Sequence, residues 1–323
     1  MFFKSFCIAL LFFSTLEAGD NSATSRVLVP SSSHLLEVPS FGYYGNAQCD
    51  KDGNLFFHSN STIFNQAAVL KLSAGSWEPT IFRISADFLD NTGFEQFSVS
   101  PSGTLWLLGE SKDHYIYTFS SDGQMTGRTR LEIPDHLNLQ DFAVSDRGTS
   151  LVAGYFDSKA DAPVRGTTYV ALLDHSGRLL HRFNEPYEAV DLSTVGKAIQ
   201  GGNAVFGDDG FIYLLHSASV LVVSESGAVV RRIKFDKPDH TAIPTRIAVS
   251  NGMAAIWLSK VGSDDRITQQ FLLLNAETGE PFAIYTPSEE ISHWGALCFS
   301  RKEGFEFYAV ESGRVKLINA ALR

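Results

Sequence analysis

Short apolar segments alternate with turns along most of the chain, and one order of segments recurs six times. In each copy an apolar strand leads through a turn containing Gly into a second apolar strand, usually rich in aromatic residues. A third apolar strand follows each pair, and in five copies a fourth, more polar strand comes next. Asp and Ser favour such turns because they bond back to the backbone, and Gly accepts a positive φ. The first two strands of the copies span 47–57, 97–108, 142–153, 204–215, 247–258 and 296–310.

A four-stranded antiparallel meander that recurs every 40–60 residues or so predicts an all-β fold, a β-propeller of six blades. The sixth copy ends after its third strand, and residues 34–39 resemble the fourth strand of the second copy. We therefore expect this N-terminal strand to complete the last blade, because closure of the ring removes exposed sheet edges. A β-sandwich of short strands is the alternative, but it explains neither the six copies nor the split last unit.

The turn motifs carry a resemblance to a known group of proteins. DKDGN, SPSGT, SDRGT and GDDGF each lie between an apolar strand of small residues and an aromatic-rich strand. With them, residues 34–323 resemble the six-bladed propellers of the NHL-repeat and TolB-like type. The resemblance implies the fold and says little about function, because such propellers include scaffolds, ligand sensors and enzymes.

The N-terminus has the pattern of a signal peptide. Residues 1–18 contain Lys4 and then an apolar run too short to span a bilayer. We expect cleavage after Ala18, an N-terminal extension at 19–33, a propeller domain at 34–323, and a secreted or periplasmic protein with no membrane insertion after cleavage. A net charge of −10 and a pI of about 5.4 argue against a nucleic-acid partner. We expect a monomer.

A ring of polar residues emerges when the copies are aligned on their first strand. The position three residues before the end of that strand is polar in five copies, on strands that are otherwise apolar, and Gly295 holds it in the sixth. We expect this ring at the mouth of the central channel, on the face with the longer connections, where recognition sites usually lie. Its polar members are Asn46, Gln96, Asp141, Asn203 and Arg246.

The ring has two interpretations. It is either a wetted channel mouth or a ligand site, to which Trp294 would add a stacking surface. Under a metal alternative, Asp141, Glu95, Asn46 and Asn203 would hold Ca²⁺ through oxygen atoms. Six-bladed calcium-dependent lactonases hold a metal at this kind of position, although their flanking motifs are not found here. Arg246 would repel a cation and suits an anionic ligand better.

The chain contains no GxSxG, HExxH, phosphate-binding loop or dinucleotide fingerprint, and its nine His are scattered. We therefore favour a non-enzymatic module without a cofactor, which binds a small molecule or a protein at the channel mouth. The alternative is a calcium-assisted hydrolase that resembles a lactonase. A third possibility is a sugar binder that uses Tyr43, Tyr44 and Trp294, whose packing between blades is an equal explanation.

Cys49 and Cys298 are the cysteines left once the signal segment is removed. They fall in the first strands of the first and last blades, which become neighbours when the ring closes. A disulfide in an exported protein would staple that closure. Two buried free thiols are the favoured alternative, since adjacent inner strands can hold the Cα atoms more than about 7 Å apart.

Overall fold

The protein is described here by a computed structural model covering residues 23–39, 43–59, 68–83, 94–110, 113–156, 168–183, 203–262, 267–292, 295–300 and 302–322. For residues 37–39, 43–46, 58–59, 68, 94–95 and 110, only the backbone is described. The predicted signal peptide and most of the longer connections lie outside these residues. Within the described ranges, no helix has the length and hydrophobicity needed to cross a membrane.

The described residues form a six-bladed β-propeller of antiparallel four-stranded sheets, which confirms the predicted fold class. Each blade begins with its innermost strand. Blades 1 to 3 consist of β3 (Tyr43–Cys49), β4 (Leu55–Ser59), β5 (Ala68–Leu72) and β6 (Pro79–Phe82); β7 (Phe94–Val99), β8 (Leu105–Glu110), β9 (His114–Phe119) and β10 (Met125–Arg130); and β11 (Leu137–Val144), β12 (Ser150–Phe156), β13 (Thr168–Leu173) and β14 (Leu179–Phe183).

Blades 4 to 6 follow the same order. They consist of β15 (Ala204–Phe206), β16 (Phe211–His216), β17 (Ser219–Ser224) and β18 (Val229–Lys234); β19 (Ile243–Ser250), β20 (Met253–Val261), β21 (Ile267–Asn275) and β22 (Pro281–Pro287); and β23 (Gly295–Ser300), β24 (Gly304–Glu311), β25 (Arg314–Ala320) and the N-terminal strand β2 (Ser32–Pro39). Each inner strand contacts the inner strands of both neighbouring blades, and β23 contacts β3.

The N-terminal segment closes the ring as the repeat pattern predicts. Strand β2 pairs antiparallel with β25 and completes blade 6. The structure adds one strand that the pattern did not predict, β1 (Thr24–Leu28), which pairs parallel with β22 on the outer edge of blade 5. This strand falls within the stretch assigned to the N-terminal extension. It gave no hydrophobic signal because Leu28 is its one fully buried residue.

The turn motifs fold as their chemistry requires. In blade 1, the carboxylate of Asp50 accepts hydrogen bonds from the backbone N–H groups of Asp52 and Asn54, at 3.0 and 2.9 Å. Gly53 adopts a φ of +82° there, a conformation that side-chain-bearing residues rarely adopt. Ser145 holds the equivalent turn of blade 3 in the same way.

The hydrophobic core is divided among the blade interfaces. Six clusters of buried side chains are described, and each lies between two neighbouring blades. The cluster between blades 5 and 6 is the most aromatic, with Trp257, Phe271 and Phe305 packed edge to face or tilted. The ring is therefore held by side chains that each blade presents to the next, and a change at one interface stays local to it.

Candidate functional site

The polar ring lies within or directly before the inner strands, and the side chains of Gln96, Asp141 and Arg246 bond to the neighbouring blade. Gln96 donates a hydrogen bond from its side-chain amide to the carbonyl of Gln140 in blade 3. Asp141 is fully buried, and its Oδ1 accepts a hydrogen bond from the backbone N–H of Asn203 in blade 4 at 3.0 Å. These two side chains therefore join consecutive inner strands, in addition to any contact that they make with the channel.

Arg246 has the same role at the junction of blades 5 and 6. Its Nη1 donates to the carbonyl of Ala296 at 3.1 Å, and its guanidinium lies 5.2 Å from the centre of the Trp257 ring. The side chain is 7% exposed. A buried guanidinium on an aromatic face is stabilised by the ring as well as by its hydrogen bond. Arg246 is thus built into the blade interface.

A β-bulge accompanies the ring in the inner strands of blades 2, 3 and 5. The pairing skips Glu95, Gln140 and Thr245, each directly before a ring residue. A bulge changes the direction in which the next side chain points and increases the local twist. The bulge therefore explains how a polar side chain can sit on an otherwise apolar strand.

Three of the predicted site residues cannot be placed as side chains. Asn46 and Glu95 lie in strands β3 and β7, of which only the backbone is described at these positions, and Trp294 lies outside the described residues. Tyr43 and Tyr44 also have no described side chain. Gln96, Asp141 and Arg246 remain and lie within strands β7, β11 and β19, whereas Asn203 lies directly before β15.

Asn203 differs from the other ring residues that can be described. Its side chain is 8% exposed, and its Oδ1 is buried without a hydrogen-bond partner in the described part of the chain. An unpaired buried acceptor is costly and calls for an explanation. Among the described residues, it is the one buried side-chain atom of the polar ring that lacks a hydrogen-bond partner.

The alignment of the sixth blade needs a correction. The sequence alignment matched Cys298 with Cys49, whereas the strand pairing matches Phe299 with Cys49. The difference arises because the bulge of blade 6 falls at Leu297, two residues from Phe299. Gly295 nevertheless keeps its ring position, because it pairs with Tyr308 in β24.

Consecutive inner strands are also bridged nearer the tight turns. Gln48 donates to the carbonyl of Phe97 at 3.0 Å and accepts from the N–H of Val99 at 2.8 Å. In the next blade, Ser98 accepts from the N–H of Val144 at 2.9 Å. These contacts join blades 1 to 2 and 2 to 3.

The junction of blades 6 and 1 has a covalent bridge at the equivalent place. Cys298 forms a disulfide with Cys49, and the two Cα atoms are 5.7 Å apart. The separation is within the range that a disulfide spans. In the strand pairing, Cys298 occupies the position in blade 6 that Gln48 and Ser98 occupy in blades 1 and 2. Like them, it bonds to the inner strand of the following blade. Free thiols, the alternative favoured from the sequence, are therefore not what the structure contains.

A cavity of about 440 Å³ opens beside this disulfide, on the face with the tight turns. On the blade 6 side its wall contains Cys298, Glu306 and Asn319, which are cross-strand neighbours on β23, β24 and β25. Blade 1 supplies the facing wall, which includes Leu55 and Trp77. The cavity therefore lies nearer the tight turns than the polar ring does.

Glu306 is the one charged residue at its position in the six blades. In the strand pairing it takes the position that the other blades fill mainly with large apolar side chains. Those side chains pack against the next blade, and a carboxyl at this position leaves the junction partly unfilled. The residues at that position in blades 1 to 5 are Phe56, Trp106, Leu151, Tyr213 and Ala255.

The carboxyl of Glu306 has an unusual environment. Burial raises its pKa to about 7, and the negative charge of Glu303 adds to the effect. Asn319 donates from Nδ2 to Oε2 across a long 3.4 Å, whereas Oε1 is buried and has no partner among the described residues. The sequence analysis missed this residue. The available signal was a single charge in the apolar run FEFYAV.

The described residues provide no set of ligands for the calcium alternative. Among the residues that the structure describes, no group of three or more His, Cys, Asp or Glu is close enough to hold a metal ion. Two of the four residues proposed for Ca²⁺, Asn46 and Glu95, have no described side chain. The predicted set therefore stays a prediction.

Comparison with solved structures agrees with the fold. A member of the DUF4221 family from Bacteroides vulgatus matches with a TM-score of 0.59 and 9% identity, over 92% of this chain and 98% of that one. A luciferin-regenerating enzyme matches with a TM-score of 0.54 and 9% identity, over 90% and 95%. A protein predicted to be a gluconolactonase matches with a TM-score of 0.53 and 11% identity, over 94% and 99%.

No protein-family model matches the chain, and no curated protein matches it. At identities this low, the structural matches show a shared propeller fold and nothing about activity. The class of protein is therefore a six-bladed β-propeller, and the NHL-repeat resemblance stays an expectation within that class.

Proposed function

We propose that this chain is an exported binding propeller that holds a small organic molecule in the cavity between blades 6 and 1. One observation carries the proposal: Glu306 lines a cavity of about 440 Å³, at a position where the other blades place no charged side chain. The volume lies within the range of about 300–1,000 Å³ that is typical of ligand sites.

The lining has the mixed chemistry of a binding site. Leu55, Trp77 and the disulfide supply apolar surface, while Glu306 and Asn319 supply convergent polar groups. The turn residues at the rim add further polar groups, and such a mixed lining can give affinity and orientation together. This lining supports a small-molecule site at the junction of blades 6 and 1.

Binding is favoured over catalysis because the described residues of the polar ring form contacts between blades. A hydrolase at the channel mouth would use Asp141 as a metal ligand or base, but Asp141 is fully buried and accepts a hydrogen bond from blade 4. The export part of the proposal is supported by the disulfide, because such bonds persist in oxidising compartments. The signal-like pattern at 1–18 supports it independently.

The channel mouth remains a second candidate because of Asn203. Its unpaired Oδ1 would suit a ligand that offers a donor or a hard cation. Thermal unfolding in excess EDTA and then in millimolar Ca²⁺ tests it, since a ligand at about 100 times its Kd stabilises by about 2.7 kcal/mol. A rise in Tm with Ca²⁺ that disappears in Asn203→Ala would move the site to the channel mouth.

The cavity is tested by ligand-observed NMR with the full chain. The probes are benzyl alcohol, benzylamine and benzoate, which share one apolar body. We expect at least one of them to bind, and its signal to vanish in Glu306→Phe, which restores the filling that Phe56 gives blade 1. Glu132→Phe, on an exposed residue of the connection between β10 and β11, is the control and should bind as the unchanged chain does. The proposal fails if no probe binds or if Glu306→Phe still binds.

A further inference from the structure

We propose that the ligand of the cavity between blades 6 and 1 carries a protonated amine, which pairs with the carboxylate of Glu306 while its apolar body lies against Trp77 and Leu55. This inference rests on the proposed function and adds the chemical class of the ligand.

The charges around the cavity leave one negative group inside. Lys51 and Asp52, on the turn between β3 and β4, form an ion pair at 3.0 Å, and both are exposed. Lys302 and Glu303, on the turn between β23 and β24, are also exposed. These four rim groups carry no net charge together, so an ionised Glu306 makes the interior negative. A cation is the complementary ligand.

The hydrogen bonds point the same way. Asn319 is held in one orientation, because its Oδ1 accepts from Ser31 Oγ at 2.7 Å and its Nδ2 faces Glu306 Oε2. The amide oxygen of Asn319 is therefore already paired, and the carboxyl of Glu306 is the acidic group in this wall of the cavity. An ammonium group supplies three donors and no acceptor, which fits a wall whose acidic group is a carboxylate.

Trp77 provides the remaining feature. Its ring lines the cavity and is only half-buried, and it contacts the ring of His34 at 5.9 Å between centroids. An indole face attracts a cation more strongly than a neutral group, and it also packs on a flat apolar body. A primary amine on an aromatic or aliphatic body would use both properties of the ring.

The pairing predicts how binding depends on pH. The pKa of Glu306 is raised to about 7, mainly by burial, so the carboxyl is mostly neutral below that value and mostly ionised above it. A protonated amine binds the ionised form. Its affinity should therefore be high above neutral pH and fall as the pH decreases, although the amine itself stays charged throughout.

The experiment is an isothermal titration of the full chain with benzylamine and with benzyl alcohol, which differ in charge and share one body. At about pH 8 we expect benzylamine to bind at least about tenfold more tightly than at about pH 5.5, while benzyl alcohol changes little. Glu306→Gln keeps the shape of the side chain and should remove this preference. Glu303→Gln, on the exposed rim, should keep it.

Each outcome decides between the two proposals. If benzyl alcohol binds as tightly as benzylamine at both pH values, the cavity is a ligand site and the amine inference is overturned. If benzylamine binding depends on pH equally in Glu306→Gln, another group holds the amine and the inference is overturned. If neither compound binds, the amine inference is overturned, and benzoate in the NMR experiment decides the proposed function.

Discussion

The carboxyl of Glu306 ties the stability of the fold to pH. Its pKa is raised from 4.5 to about 7 in the folded chain, and burial is the main cause. Between these two values the folded state holds more protons than the unfolded state does. The free energy of unfolding therefore falls as the pH rises across this window, and it is not affected by this group below about pH 4.5.

Glu306→Gln should remove this loss, because glutamine stays neutral. We expect the variant to gain stability relative to the unchanged chain between about pH 5 and pH 8, by a few kcal/mol at most. Urea unfolding at the two pH values measures the change, with Glu303→Gln as the exposed control. An equal difference between variant and parent at both pH values would mean that Glu306 is not buried as described.

Asp141 gives the second prediction at this scale. Asp141→Ala leaves the backbone N–H of Asn203 without its acceptor inside a buried interface, which should cost about 1–3 kcal/mol. Asp141→Asn keeps an acceptor oxygen in place and should cost less. Urea unfolding of both variants checks the order, and a smaller loss in the alanine variant would contradict a structural role for the ring.

Individual strands and turns divide into those that local sequence predicts and those that it does not. The Gly turns are readable because each turn residue acts on its own backbone, as Asp50 does in blade 1. Strand β1 was not predicted because most of its residues are exposed. The alignment of blade 6 was wrong by one residue because the strand contains a β-bulge, and a bulge cannot be located by counting residues in the sequence. The cavity was not predicted because its shape depends on which side chains of blade 1 pack against Glu306 of blade 6, and the sequence does not show that packing.

The turn between β13 and β14 offers a prediction about how blades meet. Gly177 has a φ of +81°, and a Cβ there would lie 2.0 Å from the carbonyl oxygen of Arg130 in blade 2. Gly210 has a φ of +84° with no atom within 4 Å of the same position. Both alanine variants carry the cost of positive φ, about 1–2 kcal/mol, but Gly177→Ala adds the overlap, about 1–3 kcal/mol more.

Thermal unfolding of the two alanine variants separates these costs. We expect Gly177→Ala to unfold at the lower temperature, because it must move blade 2 away from blade 3. Equal melting temperatures would show that this turn does not pack against its neighbour. The comparison is internal, because both positions share the backbone conformation and the same substitution.

At the scale of the whole molecule, the ring is closed twice at one junction. Strand β2 pairs with β25 to complete blade 6, and the disulfide joins the inner strands of blades 6 and 1 across 249 residues of sequence. The sequence predicted the first closure from the missing fourth strand. It could not settle the second, because the Cα separation of two cysteines depends on how neighbouring blades pack.

Replacing both cysteines, as Cys49→Ser with Cys298→Ser, should therefore lower the free energy of unfolding by about 2–5 kcal/mol. Urea unfolding of the unchanged chain with and without reductant gives the same comparison, and the double variant should not respond to reductant. Alkylation of both thiols in unreduced mature protein, seen by mass spectrometry, would show that the bond is not formed.

The site itself is tested most directly by mapping where benzylamine binds. Backbone amide NMR of the full chain at about pH 8, with and without benzylamine, reports each residue that the probe approaches. We predict the largest shifts at Glu306, Asn319 and the Trp77 turn, around the cavity between blades 6 and 1. Shifts centred on Asp141 and Asn203 at the channel mouth, or no shifts at all, would contradict the account.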